Sequence, residues 1–101
     1  MSKKLSFSEI DQELQSLSGW TKRNNSLHKV FNFESFELCM DFMQSVAEIC
    51  SEMNHHPEWL NIYNKCSVVL VTHDKNSITD LDVTLARDMN EIFEQIQKKY
   101  V

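Results

Sequence analysis

The longest periodic stretch of the chain, Glu34 to Met53, constrains the fold more than any other feature. In it Phe36, Met40, Met43, Val46, Ala47 and Cys50 return at helical spacing, which predicts a long helix with one face in the core. Pro57 disfavours helical geometry in the residue before it, so this helix has to end in the run Asn54-His55-His56. The remaining segments must supply a surface for its apolar face.

Shorter patterns on either side supply that surface. Phe7, Ile10, Leu14 and Leu17 recur at three and four between Ser6 and Leu17, with Ser6 or Ser8 available as a cap and Gly19 as a stop. Trp20 to Arg23 and Leu27 to Phe33, joined by Asn24-Asn25, predict a hairpin. Trp59 to Tyr63 and Cys66 to Thr72 are rich in β-branched and aromatic residues around Asn64-Lys65 and predict two further strands. After the polar loop His73 to Ser77, the Thr79 hydroxyl with Asp80 and Asp82 marks the start of a last helix running to about Lys99. The expected fold is α+β, a four-stranded antiparallel sheet with three helices packed on one face, as a single domain over 1–101. Such a sheet has open edges, and pairing across a two-fold axis leads to the expectation of a homo-oligomer.

Composition narrows the function classes. A net charge of −5 argues against non-specific nucleic-acid binding, which needs clustered Lys and Arg. No apolar run approaches a membrane span, and the start MSKKLSFSEI lacks the apolar stretch of a signal peptide. A cytoplasmic location without membrane contact is therefore expected. Cys39, Cys50 and Cys66, odd in number and widely spaced, fit reduced structural thiols better than a disulfide framework or a zinc set.

The candidate chemistry lies where the long helix ends. His55 and His56 sit at its exit, His73 follows the last predicted strand, and Asp82 begins the next helix, so all four can converge at one end of the sheet. Histidine, with an unperturbed pKa of about 6.5, gives and accepts protons near neutrality. A solvated helix end is the ordinary reading of an isolated His-His pair. A zinc site is the sharper alternative, but neighbours on a helix point about 100° apart and rarely share one ion. His28 lacks comparable company and is read as a surface or cross-strand residue. Trp20 and Trp59 read first as core or interface anchors, with Trp59 the nearer to the candidate site.

The run HHPEW, then Asn61-Ile62-Tyr63-Asn64-Lys65, a strand ending Thr72-His73-Asp74, and Asp82 within Asp82-Val83-Thr84-Leu85-Ala86 closely resembles the pterin-4a-carbinolamine dehydratase family. Gly19-Trp20 after the first helix extends the resemblance over nearly the whole chain. It implies dehydration of a 4a-hydroxytetrahydropterin to a quinonoid dihydropterin by proton transfer, as part of tetrahydropterin recycling beside an aromatic amino acid hydroxylase. The pterin is then the substrate, and no metal or redox cofactor is called for. The subunit would assemble as a homodimer or homotetramer.

By that resemblance His55 and His73 are the acid-base pair, His56 positions substrate and Asp82 orients a histidine. Asn54, Trp59, Thr72 and Asp74 flank them as substrate-binding candidates. One departure bears on catalysis: the family commonly carries a charged residue four positions before the first histidine, and here that position is Ser51. Glu52 lies on a different helical face and could replace it only through local unwinding near Pro57. The loop from His73 to Ser77 also lacks glycines. Some relatives act as dimerisation cofactors for transcription factors, so a non-catalytic binding module is the competing reading, as is a role in molybdenum cofactor metabolism.

Overall fold

The computed structural model describes residues 2–99. Its elements follow in the order α1 (Phe7–Leu14), β1 (Thr21–Arg23), β2 (Ser26–Asn32), α2 (Phe36–Met53), β3 (Glu58–Ile62), β4 (Lys65–Leu70) and α3 (Asp80–Lys99). The strands form one antiparallel sheet in the order β1-β2-β4-β3. Leu27, Phe31, Cys66, Val68 and Leu70 line its helix-facing side, and α2 and α3 bring Phe42, Val46, Leu85 and Met89 against them in one buried cluster. The opposite side leaves Val30, Leu60 and Ile62 exposed. The α+β architecture expected from the order of patterns is the one observed.

Local chemistry accounts for the boundaries. Ser6 and Glu9 form a reciprocal capping box at the start of α1, and Gly19 takes a left-handed φ of 83° on the way to Trp20. The helix closes at Leu14 rather than Leu17, because Gln15, Ser16 and Leu17 bond three residues back and tighten the last turn. Phe7, expected on the buried face, is 75% exposed, with the Lys22 ammonium 4.7 Å from its ring centroid.

The register of α2 also differs from the expected stripe. Leu38, Cys39, Phe42, Val46 and Cys50 are buried, while Phe36 and Ala47 are exposed. A stripe stepping by four residues drifts about 40° per step around the helix, which turns it from the sheet toward α3, the helix α2 packs against most extensively. On β2 the uneven alternation has a specific cause. Lys29 occupies an inward position between Leu27 and Phe31, its ammonium donating to the Ser18 carbonyl and Asn90 Oδ1, each at 2.8 Å. It lies 4.5 Å from the Phe31 ring centroid, and burial lowers its pKa.

The turn between β3 and β4 is Tyr63-Asn64, one residue earlier than expected, with Tyr63 at φ 52°. Asn61 holds that unfavourable conformation by donating to the Tyr63 and Lys65 carbonyls at 3.0 Å. β4 ends at Leu70, and Thr72 instead forms an isolated bridge with Ser77. All three cysteines are buried and unpaired. Burial first, and the nearby Cys39 second, push the Cys66 thiol up to about 12, which keeps it protonated and unreactive.

Candidate active site

The end of α2 is built to turn the chain sharply. Asn54 adopts the left-handed conformation (φ 52°, ψ 43°) and donates back to Cys50 and Ser51, and the His55 N–H reaches the Cys50 carbonyl at 3.1 Å. This is the hydrogen-bond pattern of a left-handed helix stop, with asparagine where glycine is usual. It directs His55 inward. His56, held extended by Pro57, stays exposed.

His55 Nε2 lies 2.7 Å from Asp82 Oδ1, with the side chains 8% and 0% exposed. The other carboxylate oxygen of Asp82 accepts from the Thr72 hydroxyl at 2.8 Å and the Thr79 N–H at 2.9 Å. Thr72 has one hydroxyl proton and gives it to Asp82, so at 2.7 Å Thr79 must donate to Thr72. The Leu81 N–H in turn donates to Thr79 at 3.2 Å. At the start of α3 Asp82 thus caps the Thr79 N–H as the third residue of a capping box does, while the Thr79 hydroxyl accepts from Leu81, and the same carboxylate also serves His55. An acceptor-only carboxylate requires His55 to donate from Nε2. Among the described residues, Nδ1 of His55 has no hydrogen-bond partner, and no buried polar side-chain atom lacks one, so Nδ1 is open to solvent.

Thr72 and His73 diverge just past the end of β4, at the bridge between Thr72 and Ser77. Thr72 turns inward to Asp82, and His73 turns outward, with Nε2 3.3 Å from Glu58 Oε2. A pocket of ≈ 380 Å³ lies between these segments, lined by Ser2, Asn54, His55, His56, Val71, Thr72, His73, Asp74 and Leu81. The volume falls within the range of small-molecule clefts, about 300–1,000 Å³. A larger cavity of ≈ 760 Å³ lies between α1 and the β1-β2 turn, with Leu5, Phe7, Ile10, Lys4 and Lys22 in its wall. It has no histidine or carboxylate for proton transfer, so chemistry favours the smaller pocket.

The three histidines, Asn54, Thr72 and Asp74 singled out in the sequence therefore meet in one pocket, and Asp82 stands behind His55 rather than in the pocket wall. Trp59 is not brought there. It pairs with Val68 and packs against the core cluster, because on β3 the alternate residue Glu58 takes the side facing His73. Glu58 went unnoticed in the sequence, although its place next to Pro57 and one residue out of phase with an inward Trp59 marked the face it takes. Glu52 lies within α2, which stays helical to Met53, and neither it nor Ser51 lines the pocket. The local unwinding that Glu52 would need to replace the residue at position 51 is absent, because the Asn54 stop confines the effect of Pro57 to His56. His28 pairs with Ser26 Oγ at 2.9 Å; burial, then Arg23, lower its pKa, while Glu58 acts in the opposite sense. Among the described residues, no group of three or more His, Cys, Asp or Glu side chains is arranged to hold a metal ion, and no helix is long and apolar enough to cross a membrane.

A small α+β subunit with a histidine-lined pocket at one end of its sheet is the class that fold and site define. The family model for pterin 4 alpha carbinolamine dehydratase matches residues 3–92, and the chain belongs to that family. It is 43% identical to a protein of Sulfurisphaera tokodaii, over 89% of this chain and 97% of the relative. It is 41% identical to one of Prochlorococcus marinus strain MIT 9215, over 86% and 91%. Both relatives are provisionally named pterin-4-alpha-carbinolamine dehydratase. The crystal structure of a transcriptional coactivator/pterin dehydratase from Brucella melitensis superposes with a TM-score of 0.87 at 38% identity, covering 89% of this chain and 98% of that one. A pterin dehydratase-like protein identified as a RuBisCO assembly factor in the alpha-carboxysome shares the fold at 16% identity and a TM-score of 0.62, over 73% and 86%.

Proposed function

We propose that this protein removes water from a 4a-hydroxytetrahydropterin, giving a quinonoid dihydropterin by proton transfer between histidines. The observation that carries this reading is the His55–Asp82 contact of 2.7 Å. With Nε2–H committed to a buried carboxylate, neutral His55 has its basic lone pair on Nδ1, the nitrogen left open. His73, across the same pocket, is the second proton-transfer group. As the C4a–O bond breaks, His73 as an imidazolium protonates the departing hydroxyl and water leaves. The ring nitrogen beside C4a forms the new C=N bond and gives up its proton to His55. Solvent then returns both histidines to their starting states.

Asn54, His56 and Asp74 in the pocket wall would meet the polar edges of the pterin ring. The Thr72 hydroxyl, committed to Asp82 and Thr79, serves Asp82 instead of substrate. Family membership supports the pterin class of substrate, and the cytoplasmic recycling of a hydroxylase cofactor is the setting this reading implies. The unpaired β3 edge with exposed Leu60 and Ile62 suits a homodimer or homotetramer. Sedimentation of wild type against Leu60→Lys tests that part, a monomeric wild type being the result that rejects it.

The test of activity is the dehydration rate of freshly generated 4a-hydroxytetrahydropterin, followed by ultraviolet absorbance with wild type and His73→Ala. Acceleration by wild type that drops about 10²-fold or more in the variant is expected. No acceleration by wild type would overturn the dehydratase reading and favour a binding module.

A further inference from the structure

Two histidines in this pocket face carboxylates, and of the two carboxylates only the deeper one, Asp82, has so far been given a role. The outer one is Glu58, the first residue of β3, fixed in register opposite Val69 of β4. Its Oε2 lies 3.3 Å from His73 Nε2. Glu58 begins β3, and His73 opens the turn that follows β4, so the two side chains meet at the same end of the sheet. Glu58 stands outside the pocket lining and reaches it through His73. The other ionisable groups in that pocket are Asp74 beside His73, and His55 and His56 from the connection after α2.

We propose that Glu58 is the positioning residue for His73, presenting from the start of β3 a carboxylate to its Nε2. The inference rests on the dehydratase reading. Closing this ion-pair distance into a hydrogen bond, with Glu58 accepting from Nε2–H, fixes one ring nitrogen and leaves Nδ1 as the nitrogen that meets substrate. The proton given to the leaving hydroxyl then comes from Nδ1. Both histidines would work through Nδ1, each with Nε2 tied to a carboxylate from a different element: Asp82 on α3 and Glu58 on β3.

The test compares wild type, Glu58→Ala and Glu58→Gln. Long-range proton–nitrogen NMR spectra report the His73 tautomer directly. Wild type should show a predominant Nε2–H form and Glu58→Ala a mixture. Because the pair is exposed and worth about 0.2–1 kcal/mol, kcat should fall by a factor of about 1.4 to 5 in Glu58→Ala, with KM nearly unchanged. Glu58→Gln, which keeps an acceptor, should recover part of both signals. An unchanged His73 spectrum in Glu58→Ala overturns the proposal, as does a kcat loss that Glu58→Gln fails to lessen. Should wild type prove inactive while the tautomer still responds to Glu58, the dehydratase reading falls and the pairing itself stands.

Discussion

His55 and His73 each face a carboxylate, yet the two pairs are built in opposite ways. The His55–Asp82 pair is enclosed, at 2.7 Å, with Thr72, Thr79 and Leu81 completing a directed chain of hydrogen bonds behind it. The Glu58–His73 pair is looser, at 3.3 Å, with side chains 58% and 71% exposed and no such backing. Burial makes the first pair costly to disturb, since an orphaned group cannot turn to water. Exposure makes the second cheap to disturb and free to exchange protons with solvent. A dehydration that takes a proton at one group and gives one at another can use this division: a fixed base inside and an adaptable acid at the mouth.

Four measurements would break or sharpen that contrast. Asp82→Asn should have the largest effect, because the amide accepts poorly from His55 and offers an N–H where Thr79 and Thr72 already donate. A drop in dehydratase rate of about 10²-fold or more and a stability loss of about 2–3 kcal/mol in urea unfolding are expected. A variant as stable and active as wild type would remove the distinction between the pairs. Thr72→Val comes next, removing one of the two donors to an Asp82 oxygen and leaving the Thr79 hydroxyl without an acceptor. It should cost about 1–3 kcal/mol while leaving far more activity than Asp82→Asn, because the His55 contact survives.

Third is the alkaline limb of stability. The Cys66 thiol is held up at about 12 in the fold against 9.0 for a free thiol, so between those values the unfolded chain ionises first and binds fewer protons. Stability from this group is therefore complete below about pH 9 and is lost as pH rises through about 12. Cys66→Ala should be less stable than wild type at pH 7, with a shallower decline above pH 9. Equal slopes would show that the thiol is not shielded. The smallest effect belongs to the exposed pair: Glu58→Gln should change unfolding free energy by less than about 1 kcal/mol. A loss matching that of Asp82→Asn would mean that the two pairs are not different in kind.

Much of this was legible in the chain. Helical and strand periods marked all seven elements, and His55, His56, His73 and Asp82 were visible as a set through their spacing and family pattern. What the periods missed was facing. Phe36 and Ala47 read as core and are exposed, because a helix packed on both a neighbouring helix and a sheet winds its buried stripe away from any fixed line. Lys29 hid an inward strand position, since a cation reads as surface unless its partners, here Ser18 and Asn90, are known. Trp59 looked like a site residue by proximity in sequence, whereas the pleat sends it to the core and Glu58 to His73.

The sequence by itself determined which elements form and in what order, with their ends placed to within a few residues, because caps, stops and periods act between residues a few positions apart. It also determined which side chains could move protons. Only the tertiary structure decided which carboxylate meets which histidine. Asp82 reaches His55 across 27 positions, and Glu58 at the start of β3 meets His73 in the turn after β4, through contacts set by the pairing of β3 with β4 and by the packing of α2 on α3. Such contacts carry no local periodicity, because they arise only when separate elements close on one another.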